Sequence, residues 1–175
     1  MAFRIGIPAE TESDEQRVAL TPDVAARLLD SLPDVTLIIE SGAGEGAHHS
    51  DAEYESAGVQ VADREAAFGA DLVAKVQPPS SEEIALLSTG QSIIGFLSPL
   101  DRPEVAQQLA QQGVTALSME LVPRISRAQK MDALSAMSSI GGYRAVLIAA
   151  HTLPKFFPLL TTAAGTIKPA NVLVI

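Results

Sequence analysis

The chain has 175 residues, 47% of them apolar and 19% charged, and its 21 acidic and 12 basic side chains give a net charge of −9. This length allows one globular domain with a sizeable core. The chain contains no cysteine, which excludes disulfides, thiol catalysis and cysteine-ligated zinc. Binding to nucleic acid needs a basic face, which so acidic a chain is not expected to offer. No uninterrupted apolar run approaches the roughly 20 residues that span a bilayer.

Short apolar runs alternate with amphipathic segments along the chain, and this alternation predicts an α/β fold. The expected architecture is a doubly wound, mostly parallel sheet flanked by helices, of the Rossmann or flavodoxin type. The runs that we interpret as strands are Phe3–Ile7, Thr36–Ile39, Gly58–Ala62, Leu72–Val76, Ser92–Leu97, Val114–Ser118 and Val172–Ile175.

Two helices carry clear boundary signals. The first has Thr21 as a candidate N-cap and Pro22 at its first position, where a missing N–H costs nothing. The second begins with Pro103 and ends at Gly113, a residue suited to a helix C-terminus.

A longer helix is predicted from about Asp132 to Ala150. Gly141 and Gly142 interrupt its pattern, and each glycine inside a helix costs about 1 kcal/mol relative to alanine. We therefore expect a kink or a close helix contact at this pair.

The segment Ser41-Gly-Ala-Gly-Glu-Gly-Ala47 matches the dinucleotide-binding fingerprint G-x-G-x-x-[GA] in its letters, and Asp63 follows where a ribose-binding acid would stand. The context argues against that function. Residues 47–57 offer little apolar face for a helix packed on a sheet, and Glu45 would repel a pyrophosphate. We interpret the segment as a glycine-rich turn with positive φ, followed by a solvated pair, His48 and His49.

The charges are unevenly distributed. Residues 1–120 carry a net charge of −14, whereas residues 121–175 carry +5 with Asp132 as their single acid. Residues 119–135 follow a predicted strand, and ligands of open α/β sheets bind at the carboxyl ends of strands. This segment offers a guanidinium, a carboxamide, a carboxylate and a hydroxyl, which suit holding a planar amide or its ribose for hydride transfer. A solvated basic helix face or a capped loop is the alternative.

Three motifs in this region carry a family resemblance: Pro123-Arg-Ile-Ser-Arg-Ala-Gln129, Met131-Asp132 and Gly142-Tyr-Arg-Ala-Val146. They resemble the NAD(H)-binding component, the alpha subunit, of proton-translocating nicotinamide nucleotide transhydrogenase, within the alanine dehydrogenase/transhydrogenase N-terminal family. The similarity covers essentially the whole chain, through Arg17-Val-Ala-Leu-Thr-Pro22, Ser41-Gly-Ala-Gly44, Lys75-Val76 and Thr162-Ala-Ala-Gly165.

The resemblance implies an oxidoreductase component that passes a hydride between NAD(H) and the NADP(H) of a partner component, coupled to proton translocation through membrane-spanning subunits. It implies a homodimer, cytoplasmic and peripheral on the cytoplasmic membrane through those partners, without a metal. The residues that it places at the nicotinamide ring and its ribose, as catalytic and cofactor-binding groups, are Arg124, Gln129, Asp132 and Ser135. Asp132 can pair with Arg124 and set its pose. Tyr143 is a further cofactor-binding candidate, with an ordinary packed helix tyrosine as the alternative.

The resemblance also implies a domain division. Residues 1–131 form an α/β domain, residues 132–170 a helical segment between domains, and residues 171–175 the first strand of a nucleotide-binding domain that lies beyond Ile175. On this interpretation the chain is an N-terminal portion, inactive alone, which binds NADH weakly or not at all.

Alanine dehydrogenases are the sister alternative. They share the motifs at Arg17 and Lys75, which there hold the substrate carboxylate, and add a catalytic histidine at the end of the strand that corresponds to Ser92–Leu97. Here that position is Ser98, and without an imidazole the amino-acid chemistry loses its acid/base group. We therefore expect Arg17 and Lys75 to be structural residues that make ion pairs or hydrogen bonds. A non-catalytic α/β binding remnant is the third interpretation.

Overall fold

The computed structural model describes residues 2–174, and its first part is built around a six-stranded parallel sheet. The strands are β1 Phe3–Ile7, β2 Val35–Glu40, β3 Gln60–Ala62, β4 Leu72–Ala74, β5 Ser92–Gly95 and β6 Thr115–Ser118. Their order is β3-β2-β1-β4-β5-β6, with every pair parallel. The helices are α1 Pro22–Ser31, α2 Asp51–Ser56, α3 Arg64–Phe68, α4 Ser81–Leu86, α5 Pro103–Gln112 and α6 Ala133–Thr152. The predicted fold class is confirmed.

Apolar side chains bury both faces of the sheet. One core cluster combines Phe68 of α3, Ile84 of α4 and Leu109 of α5 with strand residues of β4 and β5. The other combines Ala25 of α1 and Tyr54 of α2 with residues of β1 and β2. A sheet covered on both faces is what continuous apolar strand runs require, and it leaves the strand ends as the place for polar side chains.

The helix boundaries follow the chemistry of single residues. Helix α1 begins at Pro22 after Thr21, and α5 begins at Pro103 and ends before Gly113, which has φ = 74°. Both predictions are confirmed. Helices α2 to α4 have only five or six residues each, so they show no helical period in the sequence and were not predicted.

The chain consists of two compact units; the first ends at Met131 and the second begins at Asp132. Helix α6 opens it and runs without a break through Gly141 and Gly142. Within residues 2–174, no atom outside the helix lies within 4 Å of a Cβ placed on either glycine. The described residues therefore show no close contact at this pair, and the kink stays a prediction.

Helix α6 is exposed over most of its length in the described structure. By length and composition alone it is long and apolar enough to cross a membrane, with a mean hydropathy of 1.3. The sequence did not suggest this because serine, glycine and one arginine interrupt its apolar residues. A helix that is apolar on all sides also suits burial inside a larger protein.

The segment predicted as the strand Val172–Ile175 is not a strand in its described residues. Residues 172–174 have no regular structure, and Ile175 lies outside the described residues. A strand needs a neighbour for its backbone hydrogen bonds, and none lies beside this segment in residues 2–174. The second unit instead contains an unpredicted antiparallel hairpin, β7 Leu160–Thr162 and β8 Gly165–Ile167.

Candidate functional site

The strand order places the topological switch point of the sheet between β1 and β4. Open α/β sheets bind ligands outside the carboxyl ends of the strands at such a point. Here the position is filled by charged side chains of the chain itself. Lys75 directly follows β4, and its ammonium lies 3.2 Å from the carboxylate of Glu10 and 3.0 Å from that of Glu83.

These three side chains are almost completely buried. Their exposed fractions are 1% for Lys75, 4% for Glu10 and 3% for Glu83. Arg64 extends the group by pairing with Glu83 at 2.7 Å and with Glu40 at 3.2 Å. Buried charges are tolerated only when they are paired and hydrogen-bonded, and Lys75 meets this condition through its contacts with Glu10 and Glu83.

Arg17 is also paired within the chain. Its guanidinium donates to both carboxylate oxygens of Glu15, at 2.8 and 2.5 Å, and Gln77 donates to the same carboxylate at 2.6 Å. The hydrogen bond from Arg17, partly offset by burial, lowers the pKa of Glu15 to about 2. The predicted ion pairs of Arg17 and Lys75 are both present.

The glycine-rich turn uses its donors internally. The carboxylate of Asp51 accepts from the Ser41 hydroxyl at 2.6 Å and from the Gly42 N–H at 2.9 Å, and these bonds lower the pKa of Asp51. The carboxylate of Asp51 therefore already accepts the hydrogen bonds that a nucleotide phosphate would need from this turn. Gly42 has φ = 79°, as the turn interpretation expects. A Cβ on Gly44 would lie 2.5 Å from the ring of the buried Tyr54, so close packing explains this second glycine.

Asp63, which stands at the acidic position of the dinucleotide-binding fingerprint, has a structural role as well. The Asp63 carboxylate accepts from the Ala66 N–H at 2.8 Å and caps α3. Together with the occupied turn, this capping bond supports the rejection of a dinucleotide site at residues 41–47.

The segment that carries the predicted site residues follows β6 at the carboxyl edge of the sheet. A 3₁₀ helix covers Ser126–Met131, and Ala128 is its one buried residue. Arg124 and Gln129 are exposed. Within residues 2–174 neither side chain has a hydrogen-bond or ion-pair partner. Both groups are therefore available to a ligand.

Asp132 and Ser135 contact each other at the start of α6. The carboxylate of Asp132 accepts from the Ser135 N–H at 3.0 Å and from the Ser135 hydroxyl at 2.6 Å. Asp132 is therefore the N-cap of α6. An aspartate directly before a helix is a standard signal for such a cap, so this role of Asp132 could have been predicted from the sequence.

Tyr143 lies eight residues beyond Ser135 on α6, two steps of four along one helix face. It is 69% exposed, so it is not packed inside its own unit. Arg124 and Gln129 belong to the first unit, whereas Asp132, Ser135 and Tyr143 belong to the second. Their grouping around one ligand, and the pairing of Asp132 with Arg124, stay predictions.

Comparison with known proteins agrees with this architecture. A model of the family described as alanine dehydrogenase/PNT, N-terminal domain, matches residues 6–141. The NAD(P) transhydrogenase subunit alpha of Cereibacter sphaeroides is 45% identical over 175 residues, which cover 99% of this chain and 33% of that subunit. The crystal structure of transhydrogenase from Sinorhizobium meliloti matches with a TM-score of 0.87 and 38% identity, over 95% of this chain and 50% of that one.

An L-alanine dehydrogenase structure is more distant. It has a TM-score of 0.79 and 32% identity, over 85% of this chain and 40% of that one. In this chain, the fold and the polar groups at the ends of the strands define a doubly wound α/β domain with a candidate ligand site at the carboxyl edge of the sheet. The chain belongs to the alanine dehydrogenase/PNT family and matches its N-terminal domain. It spans one third of the Cereibacter subunit and half of the Sinorhizobium chain.

Proposed function

We propose that this chain is the N-terminal part of the NAD(H)-binding component of a proton-translocating transhydrogenase, and that it supplies the groups around the nicotinamide end of the cofactor. The observation that carries this proposal is the pair of free side chains, Arg124 and Gln129, on an exposed segment directly after β6. The chain is similar to transhydrogenase alpha subunits along nearly its whole length, which supports the same assignment.

The donor set fits a nicotinamide nucleotide. A carboxamide such as Gln129 can both donate to and accept from the nicotinamide amide or a ribose hydroxyl, whereas Arg124 can only donate. When bound, the nicotinamide ring supplies or accepts the hydride. The protein then has to fix distance and orientation and exclude water, so this site needs no nucleophile and no base.

Asp132 and Ser135 serve orientation in this proposal. Their mutual hydrogen bonds fix the first turn of α6, and Asp132, the one acid of residues 121–175, follows the basic residues of segment 124–130 in the sequence. A carboxylate there can hold a guanidinium in one pose through a charge-assisted hydrogen bond. Tyr143, exposed on the same helix, is the further candidate for contacting the cofactor in this proposal.

The alanine dehydrogenase alternative is disfavoured by two residues. Lys75 is buried in ion pairs with Glu10 and Glu83, so its ammonium is not free for a substrate carboxylate. Ser98 lies in the loop that follows β5, at the position where that chemistry uses an imidazole.

The same proposal covers the assembly. NADP(H) is held by a partner component, membrane-spanning subunits carry the protons, and the component forms a homodimer at the cytoplasmic face of the membrane. Subunit names among the relatives support such partners. In this proposal the pyrophosphate and adenosine pockets belong to the parts of the longer transhydrogenase relatives that this chain does not match.

A binding experiment tests the nicotinamide-side assignment on the chain itself. The protein has no tryptophan, so NADH fluorescence can be followed without tryptophan interference. We expect no saturation at micromolar NADH, because most of the cofactor's contacts are absent. Reduced nicotinamide mononucleotide at millimolar concentration should shift the amide resonances of residues 124–135 in an NMR titration.

Two results would contradict the assignment. One is a micromolar dissociation constant for NADH. The other is a set of mononucleotide-induced shifts centred on residues 41–47, because these would return the glycine-rich turn to a cofactor-binding role.

A further inference from the structure

Glu120 joins the ends of two neighbouring strands at the carboxyl edge of the sheet. It lies in the 3₁₀ turn Met119–Leu121 directly after β6. Its carboxylate accepts from the backbone N–H of Leu97, at 3.3 Å, and from that of Ser98. Both donors belong to the loop that follows β5, so one side chain ties this loop to the start of segment 122–131.

Both backbone polar groups of Ser98, its N–H and its carbonyl, are hydrogen-bonded. Its φ of 48° lies in the left-handed region, which residues with a Cβ seldom adopt. Its carbonyl accepts from the N–H groups of Asp101, at 3.1 Å, and Arg102, at 2.7 Å, at the beginning of α5. Such a conformation persists only where the surroundings fix it, and Glu120 supplies the bonds on the N–H side.

Glu120 keeps its charge at neutral pH. Burial by itself raises the pKa of this carboxyl group, but interactions with the Ser118 side chain and with backbone N–H groups, those of Ser98 and Leu97 among them, lower the pKa overall. Hydrogen bonds to an ionised acceptor are shorter and stronger than those between neutral groups. The contact is therefore a firm link between β6 and the loop after β5.

We propose that Glu120 is a positioning residue for segment 122–131, acting through the backbone N–H groups of Leu97 and Ser98. Only three residues separate Glu120 from Arg124, and Pro123 among them has a fixed φ. Fixing Glu120 therefore fixes where the segment leaves the sheet. The consequence for hydride transfer rests on the function proposed above, whereas the local ordering does not.

Hydrogen exchange on the whole 175-residue chain tests the ordering. Glu120→Ala should raise the exchange rates of the Leu97, Ser98, Val122 and Ala128 amides about tenfold or more, because local opening becomes easier. Glu120→Gln keeps the shape but loses the charge, so its effect should be intermediate. Glu55→Gln makes the same change at an exposed position of α2 and should leave all of these amides unchanged. A uniform rise across the sheet, or no rise at these amides, would overturn the proposal.

Kinetics separates positioning from general stability. A chimera in which residues 1–175 replace the matching first third of the Cereibacter sphaeroides subunit provides the rest of the cofactor site. In it, Glu120→Gln should slow single-turnover hydride transfer about 10- to 100-fold, the range expected for a misplaced reacting group. NADH affinity and melting temperature should stay close to those of the Glu55→Gln control.

A rate unchanged by Glu120→Gln would overturn the positioning role in catalysis. If the unmodified chimera transfers no hydride, the proposed function fails, and the exchange experiment still decides the role of Glu120.

Discussion

Gln129→Ala slows hydride transfer about 100-fold in the chimera with the Cereibacter subunit, while the dissociation constant for NADH changes little. The expected factor follows from positioning, since a displacement of about 1 Å between reacting groups can cost this much. The Gln129 carboxamide is exposed and has no partner within residues 2–174, so its removal disturbs no internal contact. Single-turnover absorbance at saturating nucleotide measures the rate, and NADH fluorescence measures the affinity.

Gln107→Ala is the matched control. Gln107 is an exposed glutamine of α5 in the same unit, and its removal should change neither the rate nor the affinity. A loss of NADH affinity with an unchanged rate at saturating nucleotide would contradict the positioning role, because such a pattern means that the contact is made equally in the ground state and the transition state.

Asp132 needs two variants because it also caps α6. Asp132→Ala removes the charge and the cap, whereas Asp132→Asn keeps an oxygen that can still cap the helix. If the charge orients Arg124, both variants should slow hydride transfer to a similar extent. A defect confined to Asp132→Ala, with a loss of helix stability of about 1 kcal/mol, would show that capping alone matters.

Lys75→Ala lowers the free energy of unfolding by about 3 to 5 kcal/mol, the usual cost of removing one partner of a buried ion pair. The side chains of Glu10 and Glu83 are 4% and 3% exposed, so the variant leaves their carboxylates buried without the ammonium. Urea unfolding can be followed by the fluorescence of the buried Tyr54. The chain has two tyrosines, and a Tyr143→Phe background removes the other signal.

The controls for Lys75 separate charge from packing. Lys130→Ala removes an exposed lysine of the same unit and should change the free energy of unfolding by no more than about 0.5 kcal/mol. Lys75→Met keeps most of the side-chain volume but removes the charge, so it should also lower the free energy of unfolding. Adding Glu10→Gln to Lys75→Met should recover part of that free energy, because the second change removes one unpaired buried charge. A cost below about 1 kcal/mol for Lys75→Ala would contradict the structural role of the network.

The sequence predicted those features that depend on neighbouring residues. Pro22, Pro103 and Gly113 fix helix ends through their own backbone geometry, so α1 and α5 were placed correctly. The short helices α2 to α4 were missed because five or six residues cannot display a period of 3.6. Residues 172–174 of the predicted strand Val172–Ile175 are not in a strand, because apolar residues form a strand only beside a partner strand that takes their backbone hydrogen bonds.

At the candidate site, the contacts between residues that are far apart in the sequence could not be predicted. The sequence suggested that Lys75 makes a structural ion pair, but it did not identify Glu10 as a partner, because Glu10 follows β1, a different strand of the sheet. Glu120 was also missed, although an acid directly after a strand at the predicted ligand-binding edge is a usable signal. The left-handed backbone of Ser98, which Glu120 holds, depends on contacts from β6 and α5 and has no local sequence signal.

The most direct test of the central proposal is hydride transfer from NADH to NADP⁺ by the unmodified chimera, assembled with the other Cereibacter transhydrogenase subunits. If residues 1–175 supply the nicotinamide side of this site, the chimera transfers hydride at a rate comparable to that of the Cereibacter enzyme, and Gln129→Ala abolishes most of that rate. A chimera that folds and binds NADH with normal affinity, yet transfers no hydride, would contradict the account.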